Sequence, residues 1–295
     1  MSGVVVRTAR AEDRDAVLAF CANTWESGDY ISEVWDEWLA AQNGRLLVAT
    51  IDDRPVGLMN LRMLSGDEAW LEGVRVDPQF RRQGLARAMY LAALEEAMSR
   101  GAVLARLVVD EENTPSRRLV ESMHMRTVGA FLSYVAGPLS EVEERRSISE
   151  HTELARPEDL DEIIQYLNVS NIFPAVGGLY YRGFTARTIS AELLEEKIAA
   201  GSVYLLRRWD RLDGLAIAEP REERQLQRLS VGYIDGTAIE AISLIAYDLR
   251  RRLFEREMDQ VRIYAPDLVL VRDALAGLEY ETRGSLFYTY ERGLI

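Results

Sequence analysis

The strongest constraint on this chain is that it repeats its own layout. It opens RTARAEDRDAVLAF, and roughly 146 residues later it reads TELARPEDLDEIIQYL, so that Ala9-Arg10 and Glu12-Asp13 are answered by Ala155-Arg156 and Glu158-Asp159. Both openings set acidic residues ahead of an amphipathic helix, where the positive end of the helix dipole favours them. Further matches follow in the same order. RLLVATIDDRPVGLMNLR is strand, polar turn and strand, and SVYLLRRWDRLDGLAIAEP has the same pattern. ARLVVD near 105 is answered by VRIYAP near 261, and SRRLVESMHM by VRDALAGLEY, each pair a strand leading into a helix. Such a chain is expected to build one mixed α/β plan twice. The charged stretch GPLSEVEERRSISEHTELARP, bracketed by Pro138 and Pro157, puts the boundary near 140 to 150, for domains 1–145 and 146–295.

Composition narrows the chemistry. With 48% hydrophobic residues in 295, the chain can bury a substantial core. No run of about 18 apolar residues is present to span a bilayer, and the start MSGVVVRTARAED lacks the layout of a secretory signal, so a cytoplasmic protein without membrane attachment is expected. Cys21 is the only cysteine and His124 and His151 are the only histidines, which excludes an internal disulfide and argues against a Cys/His metal site. Chemistry must come from carboxylates, hydroxyls and backbone groups. The formal net charge of −13 disfavours non-specific nucleic-acid binding and suits a cationic acceptor, though solubility alone explains such a balance more often than not.

One segment suits an anion, a solvated basic turn being the alternative that spacing alone leaves open. AWLEGVRVDP is an apolar-rich strand stopped by Asp77-Pro78, because proline supplies no ladder donor. The turn Gln79-Phe80-Arg81-Arg82-Gln83-Gly84-Leu85-Ala86 follows, and ARAMYLAALEEAMSRG then runs as strong helix formers ending at Gly101. The first N–H groups of a helix lack intrahelical acceptors, so this turn can hold a pyrophosphate, with Gly84 allowing close approach and Arg81, Arg82 and Arg87 adding positive charge.

Arg81-Arg82-Gln83-Gly84-Leu85-Ala86 resembles the Q/R-x-x-G-x-G/A coenzyme-A loop of the GNAT acetyltransferases. VRVDP is similar to the family's fourth strand, and Asn113 with Ser116 to the Asn-x-x-Ala/Ser that opens the helix after its fifth. The resemblance implies a GNAT acyl-CoA N-acyltransferase fold, in two tandem GNAT-like domains. It also implies acetyl-CoA as co-substrate, no metal, and a small-molecule or peptide amine as acceptor. By the same resemblance, Val74, Arg75 and Val76 present backbone groups to pantetheine, Arg81, Arg82, Gln83, Gly84, Leu85, Ala86 and Arg87 hold the pyrophosphate, and Asn113 and Ser116 contact the coenzyme.

Attack on a thioester needs a neutral amine and therefore a base or a water relay. Glu72 is the first choice, since alternation puts Glu72, Val74 and Val76 on one strand face; Asp110 and Glu111 are the second. The family's leaving-group tyrosine falls here on Val120, so Tyr134, Ser116 or water must supply the acid, or the thiolate leaves unprotonated. That departure also motivates a second reading, a coenzyme-A-binding regulatory or scaffold protein without turnover. Trp25, Asp29, Tyr30, Trp35, Asp36 and Trp38 crowd into the early helices, where aromatic faces and carboxylates suit a cationic acceptor; core packing is the alternative, because Trp35 and Trp38 share a helical face. Cys21 reads as a buried helix residue and His124 as a packed or solvent-facing one.

The second half lacks the loop. Its strand LQRLSVGYIDG runs directly into TAIEAISLIAYDLRRRLFE, and Asp235-Gly236-Thr237 stands where the basic turn should be, with Asp235 expected to compete for the helix N–H groups. Domain 146–295 is therefore expected to be GNAT-like without coenzyme binding. IFPAVGGLYYRGF is a glycine-rich and aromatic loop, either structural or reaching to the first domain.

Overall fold

The computed structural model describes residues 3–22, 28–139, 150–223 and 225–294. Contacts divide the chain into two compact units, neither of them one continuous stretch. The first comprises Met1–Leu107, Pro115–Arg126 and Tyr290–Ile295; the second comprises Val108–Thr114 and Thr127–Thr289. The expected boundary at 145/146 lies outside the described residues.

The first unit contains β1 (Val5–Thr8), α1 (Arg14–Cys21), α2 (Ile31–Ala40), β2 (Gly44–Ile51), β3 (Arg54–Met63), β4 (Glu68–Val76), α3 (Leu85–Ser99), the start of β5 (Leu104–Asp110) and most of α4 (Thr114–Glu121). Its strands lie in the order β1-β2-β3-β4-β5, antiparallel except for the parallel β4–β5 pair. The second contains β6 (Arg126–Ala136), β7 (Glu153–Leu154), α5 (Leu160–Val169), α6 (Ile172–Ala175), β8 (Leu179–Arg182), β9 (Thr185–Thr188), α7 (Ala191–Ala199), β10 (Val203–Arg208), β11 (Arg211–Glu223), β12 (Leu226–Gly236), α8 (Ile239–Glu255), β13 (Gln260–Pro266), α9 (Val269–Ala276) and most of β14 (Glu281–Gly293). Its order β7-β10-β11-β12-β13 is again antiparallel up to a parallel last pair, and β6 adds antiparallel to β13.

The duplicated opening has a duplicated physical cause. Asp13 accepts the Arg10 N–H at 2.7 Å, and Asp159 accepts the Arg156 N–H at 2.7 Å, each starting a short 3₁₀ turn that leads into the helix. An arginine from a strand then holds each aspartate, Arg7 on Asp13 and Arg207 on Asp159, both at 2.7 Å. The hairpins carry the repeat further. The β3–β4 register slips between Leu58 and Asn60, so Gly73 and Val74 together oppose Met59; the β11–β12 register slips between Ile217 and Ala218, at Gly232. A glycine bulge thus sits at corresponding points of both halves.

In the first unit α1 and α2 cover one sheet face, burying Val17, Cys21, Ile31, Trp35, Trp38, Leu46, Val48 and Leu58 together. Helix α3 packs on β2, β3 and β4. A Cβ at Gly57 would lie 3.0 Å from the Met89 side chain, so the Gly57 face of β3 is the α3 face. The segment IFPAVGGLYYRGF is not a loop: it forms α6, β8 and the turn into β9, and Tyr181 packs its ring on Phe131 and Tyr264 of the same unit. Among the described residues no helix is long and apolar enough to cross a membrane.

Candidate functional site

Strand β4 is the axis of the site. Its parallel ladder with β5 runs from Glu68↔Leu104 to Trp70↔Arg106, while its antiparallel ladder with β3 continues to Val76. The expectation that Glu72, Val74 and Val76 share a face is overturned by the bulge. Residues paired across an antiparallel ladder point the same way, and Glu72 pairs with Asn60, Arg75 with Leu58, and Val76 with Gly57. Glu72 and Arg75 therefore share the Leu58 face, toward α2, and Val76 lies on the α3 face. Gly73 permits this because it takes φ 71°, and because Trp38 closes on it: a Cβ there would stand 2.6 Å from the indole.

Around Glu72 the structure gathers groups that the sequence did not point to. Asn60 Nδ2 donates to Glu72 Oε1 at 3.0 Å, and Arg62 Nε lies 3.6 Å from the same oxygen. Burial pushes the Glu72 carboxyl above the usual carboxylate range, against the pull of Arg62 and Asn60. Arg75 is held elsewhere: its Nε donates to Asp29 Oδ2 at 2.7 Å and one terminal nitrogen to Asp29 Oδ1 at 3.2 Å, while the guanidinium lies 5.3 Å from the Tyr30 ring centroid. Tyr30 in turn meets Trp38 edge-on at 6.1 Å. Of the early aromatic cluster, Trp35 is core, Trp38 and Tyr30 frame the bulge, Asp36 is exposed, and Trp25 lies outside the described residues.

The turn after β4 has the expected form. Asp77 accepts the Gln79 N–H at 3.0 Å and starts a short 3₁₀ turn, Pro78–Phe80. Arg82 and Gly84 both take left-handed backbone, φ 61° and 82°, and Gly84 caps α3. Ala88 donates to Gly84 O at 2.9 Å, whereas the N–H groups from Arg81 to Arg87 meet no acceptor among the described residues. Nothing lies within 4 Å of a Cβ built on Gly84, and Arg81, Arg82, Gln83, Gly84 and Arg87 are exposed; Leu85 is buried beneath them and Ala86 is half-buried. Two of the arginines are already engaged: Arg81 Nε donates to Val76 O at 3.3 Å and Arg87 to Ser122 Oγ at 3.3 Å. Arg75 likewise donates to Val74 O at 3.1 Å. These amides stand at the head of a 15-residue helix, beside a left-handed glycine with open space around it, an arrangement with the donors an anion needs.

The remaining sequence-derived residues divide between the units. Ser116, on α4, is in the first; Asp110, Glu111, Asn113 and Tyr134 are in the second. Asp110 accepts the Glu112 N–H at 2.9 Å and the Ser285 hydroxyl, and its carbonyl accepts the Asn113 N–H at 3.0 Å. Tyr134, opposite Ile263 on β13, is 2% exposed, its hydroxyl meets no partner among the described residues, and burial raises its pKa. Val120 is core. Cys21 is buried, with its thiol pushed up to about 12 by that burial, and His124 is an exposed residue with φ 61° after α4. Among the described residues no group of three or more His, Cys, Asp and Glu side chains is arranged to hold a metal ion.

In the second unit Asp235 does not compete for helix amides. It ends β12, 1% exposed, and accepts Tyr166 Oη at 3.0 Å, Ser170 Oγ at 2.6 Å and the Tyr233 hydroxyl; α8 is capped by Ala238 instead.

Comparison with known proteins gives the site a context. Residues 12–125, which carry β4, the turn and α3, match the model of the acetyltransferase (GNAT) family. The fold is similar to that of a GCN5-related N-acetyltransferase from Sphaerobacter thermophilus, at TM-score 0.61 and 13% identity over 99% of this chain and 96% of that one. It is similar also to a tandem GNAT protein from the clavulanic acid biosynthesis pathway, at TM-score 0.53 and 14% identity over 99% of both chains. A third likeness is to a GCN5-related N-acetyltransferase from Anabaena variabilis, at TM-score 0.52 and 13% identity over 99% of this chain and 73% of that one. No curated protein sequence matches it.

Proposed function

We propose, from the premise that residues 12–125 form a domain of the acetyltransferase (GNAT) family, that this chain transfers an acetyl group from acetyl-CoA to a primary amine in a ternary complex. The observation that carries the reading is the run of unpartnered N–H groups from Arg81 to Arg87 over the open, left-handed Gly84. Those amides take the pyrophosphate, helped by the exposed Arg82, and Arg81 and Arg87 can turn to it from their present weak partners. Pantetheine then lies along Val74 to Val76. Asn113 and Ser116 are assigned to the coenzyme by the same reading.

In the reaction the amine nitrogen bonds to the thioester carbon, the oxygen takes up negative charge, the C–S bond breaks to release coenzyme A as thiolate, and the acylated nitrogen gives its remaining extra proton to water. The N–H near Val76 faces the oxyanion. Glu72 takes the proton that the ammonium must lose before attack. A carboxyl held above its usual range by burial is better matched to that task near neutral pH than an exposed one. Asp110 is the alternative base, and Tyr134, whose phenol carries its proton at neutral pH, is the proposed acid for the thiolate. Positioning supplies much of the rate.

A second reading, coenzyme-A binding without turnover, draws on Val120, which is packed in the core at the position where the family's tyrosine is expected. Calorimetric binding of acetyl-CoA, paired with thiol release across polyamines, aminoglycosides, amino acids and peptide N-termini, separates the two. Binding with release supports transfer, binding without release supports the scaffold, and absence of binding overturns both.

A further inference from the structure

The bulge at Gly73 creates a problem for a base at position 72, because it turns a permanently charged side chain onto the same face of β4. Asn60 and Leu58 are neighbours on one face of β3, and their partners Glu72 and Arg75 are therefore neighbours on β4. An arginine in that position pairs with a carboxylate by default, and a carboxylate so paired is a poor proton acceptor.

The structure diverts it. Asp29, whose side chain is 2% exposed, takes the Arg75 guanidinium in a two-point contact at 2.7 and 3.2 Å, and its Oδ1 also accepts the Ile31 N–H at 3.2 Å as α2 begins. The Tyr30 ring lies against the guanidinium. Besides burial, the groups that act most on Glu72 are Arg62 and Asn60 from β3, Glu37 from α2 and Trp70 from β4.

We propose that Asp29 is a positioning residue: by holding Arg75 at two points it keeps that cation off Glu72 and leaves the carboxyl able to exchange a proton. The proposal rests on Glu72 being the base, and its test is independent of turnover. Protein labelled with [13Cδ]glutamate is titrated by NMR, with the Glu72 resonance assigned by its loss in Glu72→Gln. In Asp29→Asn the released Arg75 turns to Glu72, and the Glu72 midpoint moves to lower pH. In the double variant Asp29→Asn/Arg75→Gln, which buries no unpaired charge, the midpoint returns to the wild-type value; Asp29→Glu, which keeps the ion pair, also titrates as wild type. A folded Asp29→Asn protein with an unmoved midpoint overturns the proposal. If that variant does not fold, the double variant decides: a wild-type midpoint sustains the proposal, and a midpoint raised by loss of Arg75 overturns it, since Arg75 was then already acting on Glu72. Turnover retained in Glu72→Gln sinks the base assignment separately, whatever the titration gives.

Discussion

Asn60 and Glu72 meet across the β3–β4 ladder, Nδ2 to Oε1 at 3.0 Å, at the last register step before the strand bulges. The bond fixes the carboxyl on the α2 side of the sheet while the next two residues, Gly73 and Val74, swing the edge of β4 past it. One local irregularity therefore sets both where the proposed base points and where the proposed coenzyme edge begins.

Replacing Glu72 by Gln separates catalysis from stability. Thiol release is expected to fall by about 10²–10⁴, with acetyl-CoA affinity nearly unchanged. Wild-type activity should fall toward acid as Glu72 takes up its proton. Because the folded-state value is raised above the unfolded one, the stability associated with this group is full below the unfolded value and is lost as pH rises through the folded one. The Gln variant, free of that loss, should melt higher than wild type at neutral pH, and the difference should vanish toward acid pH. Melting curves across pH read this directly, and a variant less stable at neutral pH contradicts the assigned sign.

Gly84 tests the anion seat with two substitutions. Alanine there meets open space and suffers only the left-handed backbone, about 1–2 kcal/mol. Glutamate adds a carboxylate where the diphosphate should lie. Calorimetry should find acetyl-CoA binding weakened modestly in Gly84→Ala and by more than about 100-fold in Gly84→Glu, about 2.7 kcal/mol or more. The two proteins should melt within a few degrees of each other. Equal affinities move the coenzyme elsewhere.

Much of this was legible because it is local. The paired openings could be matched by eye since Asp13 and Asp159 each act three residues away, and Gly101, with φ 94°, closes α3 as its position after AMSR suggested. The basic turn was readable for the same reason. What escaped was set at a distance. AWLEGVRVDP reads as an unbroken strand, and its break at Gly73 lies against Trp38, which the fold brings to it. The Asp29–Arg75 pair joins residues 46 apart, with neither side chain marked by its neighbours. The three hydroxyl donors of Asp235 likewise escape the sequence, since they come from α5, the residue after it, and β12.

The C-terminal residues should prove structural to the first unit. Arg106, 4% exposed, donates to Glu68 at 2.8 Å and to Glu291 at 2.9 Å, and Leu294 N–H reaches Val103 O at 2.9 Å. Glu291→Ala leaves a buried guanidinium with one carboxylate fewer, a loss of about 3–5 kcal/mol when such a pair is broken from one side. Urea unfolding should find that loss, and Glu68→Leu/Arg106→Met/Glu291→Leu, which leaves none of the three charges buried and unpaired, should recover much of it. A Glu291→Ala protein as stable as wild type rules out the buried network as a support.

The two bulge glycines should fail for different reasons, and the contrast tests whether the halves share a plan but not a use. At Gly73 alanine meets the Trp38 ring at 2.6 Å and must hold φ 71°. The ring can yield but the backbone strain stays, so a destabilisation of about 2–4 kcal/mol is expected, of which Trp38→Leu should return only the steric part. At Gly232 the obstacle is backbone: a Cβ would stand 2.0 Å from Tyr181 O and 2.3 Å from the Tyr180 ring, so the β8–β9 hairpin rests directly on the bulge. No side-chain trimming relieves that contact. Gly232→Ala should therefore cost about 3 kcal/mol or more, and it should loosen the hairpin, seen as faster amide exchange from Leu179 to Thr188. Gly73→Ala should leave exchange in that hairpin unchanged. If Trp38→Leu restores Gly73→Ala completely, the left-handed backbone at the β4 bulge is not the constraint argued for it.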